Sequence, residues 1–146
     1  MTKPIYILSG PNLNRLGTRE PEIYGRTTLA EVEAQCRDAA ADHPIVFRQS
    51  NREYELIDWV HEAMDEGGGL VINPAAFTFT SMALMDALKM FSGPLIELHI
   101  SNIHRREPMY HKSLVSPVAT AVIAGLGTAG YALAVRAIRN LVADKA

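Results

Sequence analysis

The sequence predicts an α/β fold: a three-layer sandwich with helices on both faces of a five-stranded parallel sheet, in the order 2-1-3-4-5. Three observations carry this. Short apolar runs rich in Ile, Leu and Val alternate with helical patterns from end to end, so five βα units follow one another. Parallel strands need crossovers, and right-handed crossovers place helices on both faces. The 146 residues suffice for one domain, 1–146, with a substantial core, and no repeat, low-complexity tract or linker divides it.

Each element has its own signal. PIYILS (4–9) is the first strand, and GPNLNRLGTREPEIYG (10–25) follows it as a long polar loop. Connections of this kind usually take about 2–6 residues, so the length points to a lid, a binding loop or a disordered segment. A helix starts after Thr28, which has capping-box spacing to Glu31, and Leu29, Val32 and Cys36 form its apolar stripe. PIVFRQS (44–50) is the second strand. Residues 53–66 repeat Leu56, Ile57, Val60 and Met64 at helical spacing and stop at Gly67-Gly68-Gly69. GLVIN (69–73) is the third strand, and a helix is expected from about Thr80 to Phe91. SGP introduces PLIELHI (94–100), the fourth. The polar stretch SNIHRREPMYHKS leads to TAVIAG (120–125), the fifth, and a last helix from Thr128 to about Val142. The resulting order is flavodoxin-like.

Bulk properties exclude several function classes. A net charge of −2 leaves no electrostatic footprint for nucleic acid or an anionic membrane. The single Cys36 forms no internal disulfide, which suits a reducing compartment. The apolar stretch in MTKPIYILSGPNL is too short for a signal peptide, and no run approaches the ~20 apolar residues of a membrane helix. The expectation is a soluble, cytoplasmic protein.

In open parallel sheets, ligands sit outside the carboxyl ends of the strands. Asn12 to Tyr24 follow the first strand, Gln49 to Asn51 follow the second, and Asn73 ends the third. Glu97 and His99 alternate along the fourth and share a face, with Ser101 at its edge. Arg19 and Tyr24 stand in one loop, where a hairpin-like fold would bring them together. A guanidinium beside a phenol favours the phenolate, which makes Tyr24 a candidate general base for a weakly acidic C–H. Beside His99, Glu97 would fix the tautomer and support the protonated ring, which suits a general acid. Spacing alone leaves open that Arg19 and Tyr24 are surface residues and His99 a satisfied core histidine.

Other motifs weigh less. His99, His104 and His111 match no standard zinc spacing. GLGTAG (125–130) follows a strand and opens a helix, but lies too near the C-terminus for a dinucleotide-binding unit; tight strand–helix packing explains it better. Lys3, Lys89, Lys112 and Lys145 all fall outside the strands, and no G-x-S-x-G occurs, which argues against nucleophilic catalysis.

Taken together, GPNLNRLGTREPEIYG, QSNREYELIDWVHEA, INPAAFTFTSMALMDAL, IELHISNIHRRE and SPVATAVIAGLGTAGYALA strongly resemble type II 3-dehydroquinate dehydratase, in the family's order and close to its spacing. The resemblance implies a subunit that assembles as a dodecamer of trimers, uses no metal or organic cofactor, and dehydrates 3-dehydroquinate to 3-dehydroshikimate by anti elimination through an enolate. It implies Tyr24 as the base, Arg19 as its lid partner, Asn12 as holder of a water at the enolate oxygen, and His99 as the acid supported by Glu97. Asn73, Ala75, Ala76, Ile100 and Ser101 fall among the substrate-gripping positions, and Asp86 where a neighbouring subunit reaches the site. The implied partners are a small-molecule substrate and further copies of the chain.

The chain also departs from that pattern. Phe79 stands where the family has a substrate-binding His, Tyr110 where it has a substrate-contacting Arg, Met85 where an Arg precedes the aspartate, and Tyr54 where a Gly follows QSNxE. A lost hydrogen bond to a charged group is worth about 1.5–3 kcal/mol, so two such losses bear on substrate choice. Tyr110 keeps a hydroxyl, and Arg105 and Arg106 stand close in sequence. These departures leave two alternatives: a dehydratase for a related, less hydroxylated cyclic hydroxy ketone, and a non-catalytic ligand-binding or assembly paralogue.

Overall fold

A computed structural model describes residues 2–145 and holds, among them, five strands and six α-helices, with 3₁₀ turns in place of a helix between the last two strands. The strands are β1 (Ile5–Ser9), β2 (Ile45–Gln49), β3 (Gly69–Asn73), β4 (Leu95–His99) and β5 (Ala121–Ala124). They form one sheet in the order β2-β1-β3-β4-β5 with every pairing parallel, as the sequence predicts. The three central strands are buried along their whole length, which is why they read as unbroken apolar runs, whereas the edge strands β2 and β5 are only partly covered.

The pleat divides the core in two. Ile5, Ile7, Val71, Ile96 and Leu98 face one side, where α2 (Leu29–Ala40) contributes Val32 and Cys36 and α6 (Ala129–Lys145) contributes Tyr131, Val135 and Ile138. Tyr6, Leu8, Leu70, Ile72 and Leu95 face the other, against Leu56 and Val60 of α3 (Glu53–Glu66) and Leu84 and Leu88 of α5 (Met82–Lys89). Each of these side chains contributes about 1.5–3 kcal/mol by leaving water. The expected capping box opens α2: the Thr28 hydroxyl accepts from the Glu31 N–H at 3.2 Å, and the Glu31 carboxylate accepts from the Thr28 N–H at 3.3 Å. In GLGTAG, a Cβ on Gly130 would come within 2.8 Å of Leu98 Cδ1, which agrees with the packing role expected of that motif.

Three segments differ from the sequence reading. The long loop after β1 contains a 3₁₀ turn (Leu13–Arg15) and a helical turn, α1 (Pro21–Tyr24), with Pro21 at its first position. The single helix expected from about Thr80 to Phe91 is two: α4 (Phe77–Thr80) and then α5. Ser81 makes the break, with an extended backbone and a hydroxyl that accepts the Leu84 N–H at 2.9 Å. The polar stretch after β4 folds into 3₁₀ turns at Ile103–Arg105 and Pro108–Tyr110, with a third at Ser116–Val118.

Candidate active site

The carboxyl ends of β1, β3 and β4 open onto one cavity. The loop after β1 lines it with Asn12, Arg19 and Tyr24, and the end of β3 and the turn beyond line it with Asn73, Ala75, Ala76 and Phe79. β4 and the segment after it add His99, Ile100, Ser101, Arg106 and Tyr110. Of the catalytic and substrate-gripping positions that the resemblance implies, Glu97 and Asp86 do not line it. Glu97 lies directly behind His99, while Asp86 is exposed on α5 and reaches no part of its own chain's cavity.

The lid is anchored at its root. Gly10 N–H donates to Asn73 O at 2.8 Å, and a Cβ on Gly10 would sit 2.5 Å from Pro74 O, so only glycine lets the two strand ends approach this closely. Asn12 follows in the left-handed region (φ 72°), which Asn tolerates, and its N–H donates to Asn51 Oδ1 at 2.9 Å. Gln49 Nε2 reaches Gly10 O at 3.1 Å and Asn51 Oδ1 at 3.2 Å. The polar residues after β2 therefore brace the lid and do not line the cavity.

Arg19 and Tyr24 meet as the spacing allows: the guanidinium carbon lies 4.5 Å from the Tyr24 ring centroid. Tyr24 is largely buried, so the open reading of a solvated surface pair does not describe it. A second guanidinium reaches the phenol from across the cavity, with Arg106 Nη1 donating to Tyr24 Oη at 3.2 Å. Sequence offers Arg105 and Arg106 as equals; the 3₁₀ turn ending at Arg105 selects Arg106, and Arg105 does not line this cavity.

His99 is held from behind. Its Nε2 lies 2.5 Å from Glu97 Oε2, deep in the fold. The same carboxylate accepts from Thr78 Oγ1 at 2.8 Å, from Ser113 Oγ at 2.7 Å and from Ser116 Oγ. Burial alone would push the Glu97 carboxyl up, but the hydrogen bonds from His99, Ser116 and Ser113 and the His99 charge outweigh it and hold it down to about 2. A carboxylate can only accept, so Nε2 carries its proton and Nδ1 is left as the ring nitrogen available to a ligand. The three hydroxyl donors come from α4 and the loop before β5, and no local pattern announced them.

Asn73 is oriented through Tyr131, which the sequence did not mark. Asn73 Nδ2 donates to Tyr131 Oη at 3.1 Å, and Asn73 Oδ1 accepts the Ala75 N–H at 3.1 Å. Tyr131 Oη also lies 3.0 Å from Ser9 Oγ. Ala75 itself is left-handed (φ 52°), a conformation that costs about 1 kcal/mol in a residue with a Cβ. Phe79 and Tyr110, the two departures, both take part in the wall. Phe79 stacks on His99 with ring centroids 6.2 Å apart and meets Tyr110 edge-on at 5.5 Å.

The cavity thus joins a phenol set against two guanidinium groups to an imidazole backed by a buried carboxylate, which can remove one proton and supply another. A model of the family described as Dehydroquinase class II matches residues 3–139. The chain is 61% identical to a 3-dehydroquinate dehydratase 2 of Agrobacterium fabrum, over 92% of this chain and 93% of that protein. It is 54% identical to a 3-dehydroquinate dehydratase of Chelativorans sp., over 94% of this chain and 97% of that one. Among solved structures, the type II dehydroquinase of Propionibacterium acnes superposes with a TM-score of 0.91 at 43% identity, covering 96% of this chain and 98% of that chain. On its sequence and its fold alike, the chain belongs to the class II dehydroquinase family.

Proposed function

We propose that this chain dehydrates 3-dehydroquinate to 3-dehydroshikimate by anti elimination through an enolate. The observation that carries the reading is the convergence on one cavity of Tyr24 with its two guanidinium partners and His99 with its carboxylate. The 61% identical relative named 3-dehydroquinate dehydratase 2 supports the substrate.

The Tyr24 phenolate takes the proton alpha to the ketone, with the Arg19 and Arg106 guanidinium groups set against it. The electron pair moves onto the carbonyl oxygen, where Asn12 holds a water that donates to the enolate. The enolate then collapses: the C–O bond breaks, a C=C conjugated to the ketone forms, and His99, protonated on both ring nitrogens, delivers the Nδ1 proton so that hydroxide leaves as water while Nε2 keeps its bond to Glu97. Solvent resets the proton gained by Tyr24 and the one lost by His99. General acid–base steps of this kind are worth about 10²–10⁴-fold each. Asn73, Ser101 and the backbone at Ala75, Ala76 and Ile100 grip the substrate's carboxylate and hydroxyls. In the same reading the enzyme works in the cytoplasm as a dodecamer of trimers, Asp86 reaching a neighbour's cavity; light scattering measures that assembly.

The testing experiment mixes purified protein with 3-dehydroquinate and follows ultraviolet absorbance of the conjugated enone. Steady growth of the band is the expected result; its absence refutes the assignment. The apolar face that Phe79 turns toward His99 favours a second reading, a less hydroxylated cyclic hydroxy ketone as substrate. That reading predicts no growth with the wild type, and growth restored by Phe79→His with Tyr110→Arg.

A further inference from the structure

One wall of the cavity is a continuous chain of stacked groups. It runs from His99 to Phe79 at 6.2 Å, from Phe79 edge-on to Tyr110 at 5.5 Å, and from Tyr110 to the guanidinium of Arg106 at 4.0 Å. Arg106 closes the chain by donating to Tyr24 Oη at 3.2 Å. The two ends are the residues to which the proposed reaction assigns the acid and the base, and the inference drawn from the chain rests on that assignment.

From this geometry we infer that Tyr110 is a positioning residue that acts through Arg106: its ring holds the guanidinium in place so that Nη1 meets the Tyr24 oxygen. Three observations support the inference. First, the 4.0 Å from guanidinium carbon to ring centroid is the tightest cation–ring approach in the described residues. An arginine tip is free to rotate about several bonds, and a ring beneath it removes much of that freedom before the substrate arrives. Second, the Tyr110 hydroxyl makes no hydrogen bond within the described residues, so the ring face carries the contacts seen. Third, the ring is itself held. Pro108 opens the 3₁₀ turn that presents Tyr110, and Phe79 makes an edge contact with its ring. The Arg106 backbone is tied as well, its carbonyl 2.6 Å from His111 Nε2.

This gives Tyr110 a use that its hydroxyl does not explain. A cationic side chain at this position would repel Arg106, whereas an aromatic ring attracts it. Phe79 then has a second function besides stacking on His99, because it sets the tilt of the ring on which Arg106 lies.

The test is a double-substitution cycle joined to a measurement that needs no turnover. In kinetics with 3-dehydroquinate, Tyr110→Ala should lower kcat about 5- to 30-fold with a smaller change in KM, and Tyr110→Phe should recover most of that loss. In an Arg106→Ala background, Tyr110→Ala should cost less than about 2-fold more, because the group through which it acts is gone. Losses that multiply in the double variant overturn the inference, as does a Tyr110→Phe variant as impaired as Tyr110→Ala, which would make the hydroxyl the acting group. In parallel, side-chain NMR of Arg106 should show a ring-current displacement that Tyr110→Phe keeps and Tyr110→Ala removes. An Arg106 signal indifferent to Tyr110→Ala overturns the inference whether or not the protein turns over 3-dehydroquinate. Wild-type turnover reads the underlying assignment separately.

Discussion

Replacing Glu97 by Gln removes one charge from the most heavily bonded group in the site. The carboxylate is buried and accepts hydrogen bonds from His99, Thr78, Ser113 and Ser116. Burial raises its pKa, but the bonds from His99, Ser116 and Ser113 and the His99 charge hold it down to about 2, against an ordinary value of 4.5. The gap is worth about 3 kcal/mol of folding free energy at pH 7. Because the folded value is the depressed one, this stability is fully present above about pH 4.5 and is lost as pH falls toward 2. At pH 3 the unfolded carboxyl is mostly protonated while the folded one is mostly ionised, so about 2 kcal/mol has gone. Glu97→Gln keeps the shape without the linkage. Urea unfolding of both proteins at pH 7 and pH 3 should therefore show their stability difference shrinking by about 2 kcal/mol in acid. A difference that stays constant or widens would refute the claim that the native fold holds Glu97 as a carboxylate.

Three further outcomes follow from the same contacts. Tyr131→Phe strips a partner from both Ser9 and Asn73, and should cost about 1–3 kcal/mol in urea unfolding and raise KM for 3-dehydroquinate; unchanged values for both would contradict the orienting role of Tyr131. Gly10→Ala places a methyl 2.5 Å from Pro74 O and should destabilise by about 1–3 kcal/mol, read as a lower Tm. Burial pushes the Cys36 thiol up to about 12, so an alkylating reagent at pH 8 should label it only after urea is added, and labelling of the native protein would show that α2 opens.

What the sequence could reveal depended on how local the physics was. β1, β3 and β4 are covered on both faces, so their burial demands unbroken apolar runs that are easy to read. The Glu97–His99 pair was legible because residues two apart on one strand share a face. The break at Ser81 was not, since the flanking apolar pattern continues through it and one hydroxyl cap decides the matter. The donors to Glu97 come from other elements, and Tyr131 reaches Asn73 from the far end of the chain. Such pairings arise only when the sheet brings the elements together. Arg106 falls between these cases: the sequence offered two adjacent arginines, and backbone geometry chose one.

If Tyr24 removes the proton and His99 completes the departure of water, the two steps are separable. Incubating 3-dehydroquinate in D₂O with His99→Ala and with Tyr24→Phe, and watching the hydrogen alpha to the ketone by NMR, tests it directly. His99→Ala is expected to exchange that hydrogen for deuterium while forming little enone, and Tyr24→Phe to do neither. Exchange by Tyr24→Phe at the rate of the parent enzyme would contradict it.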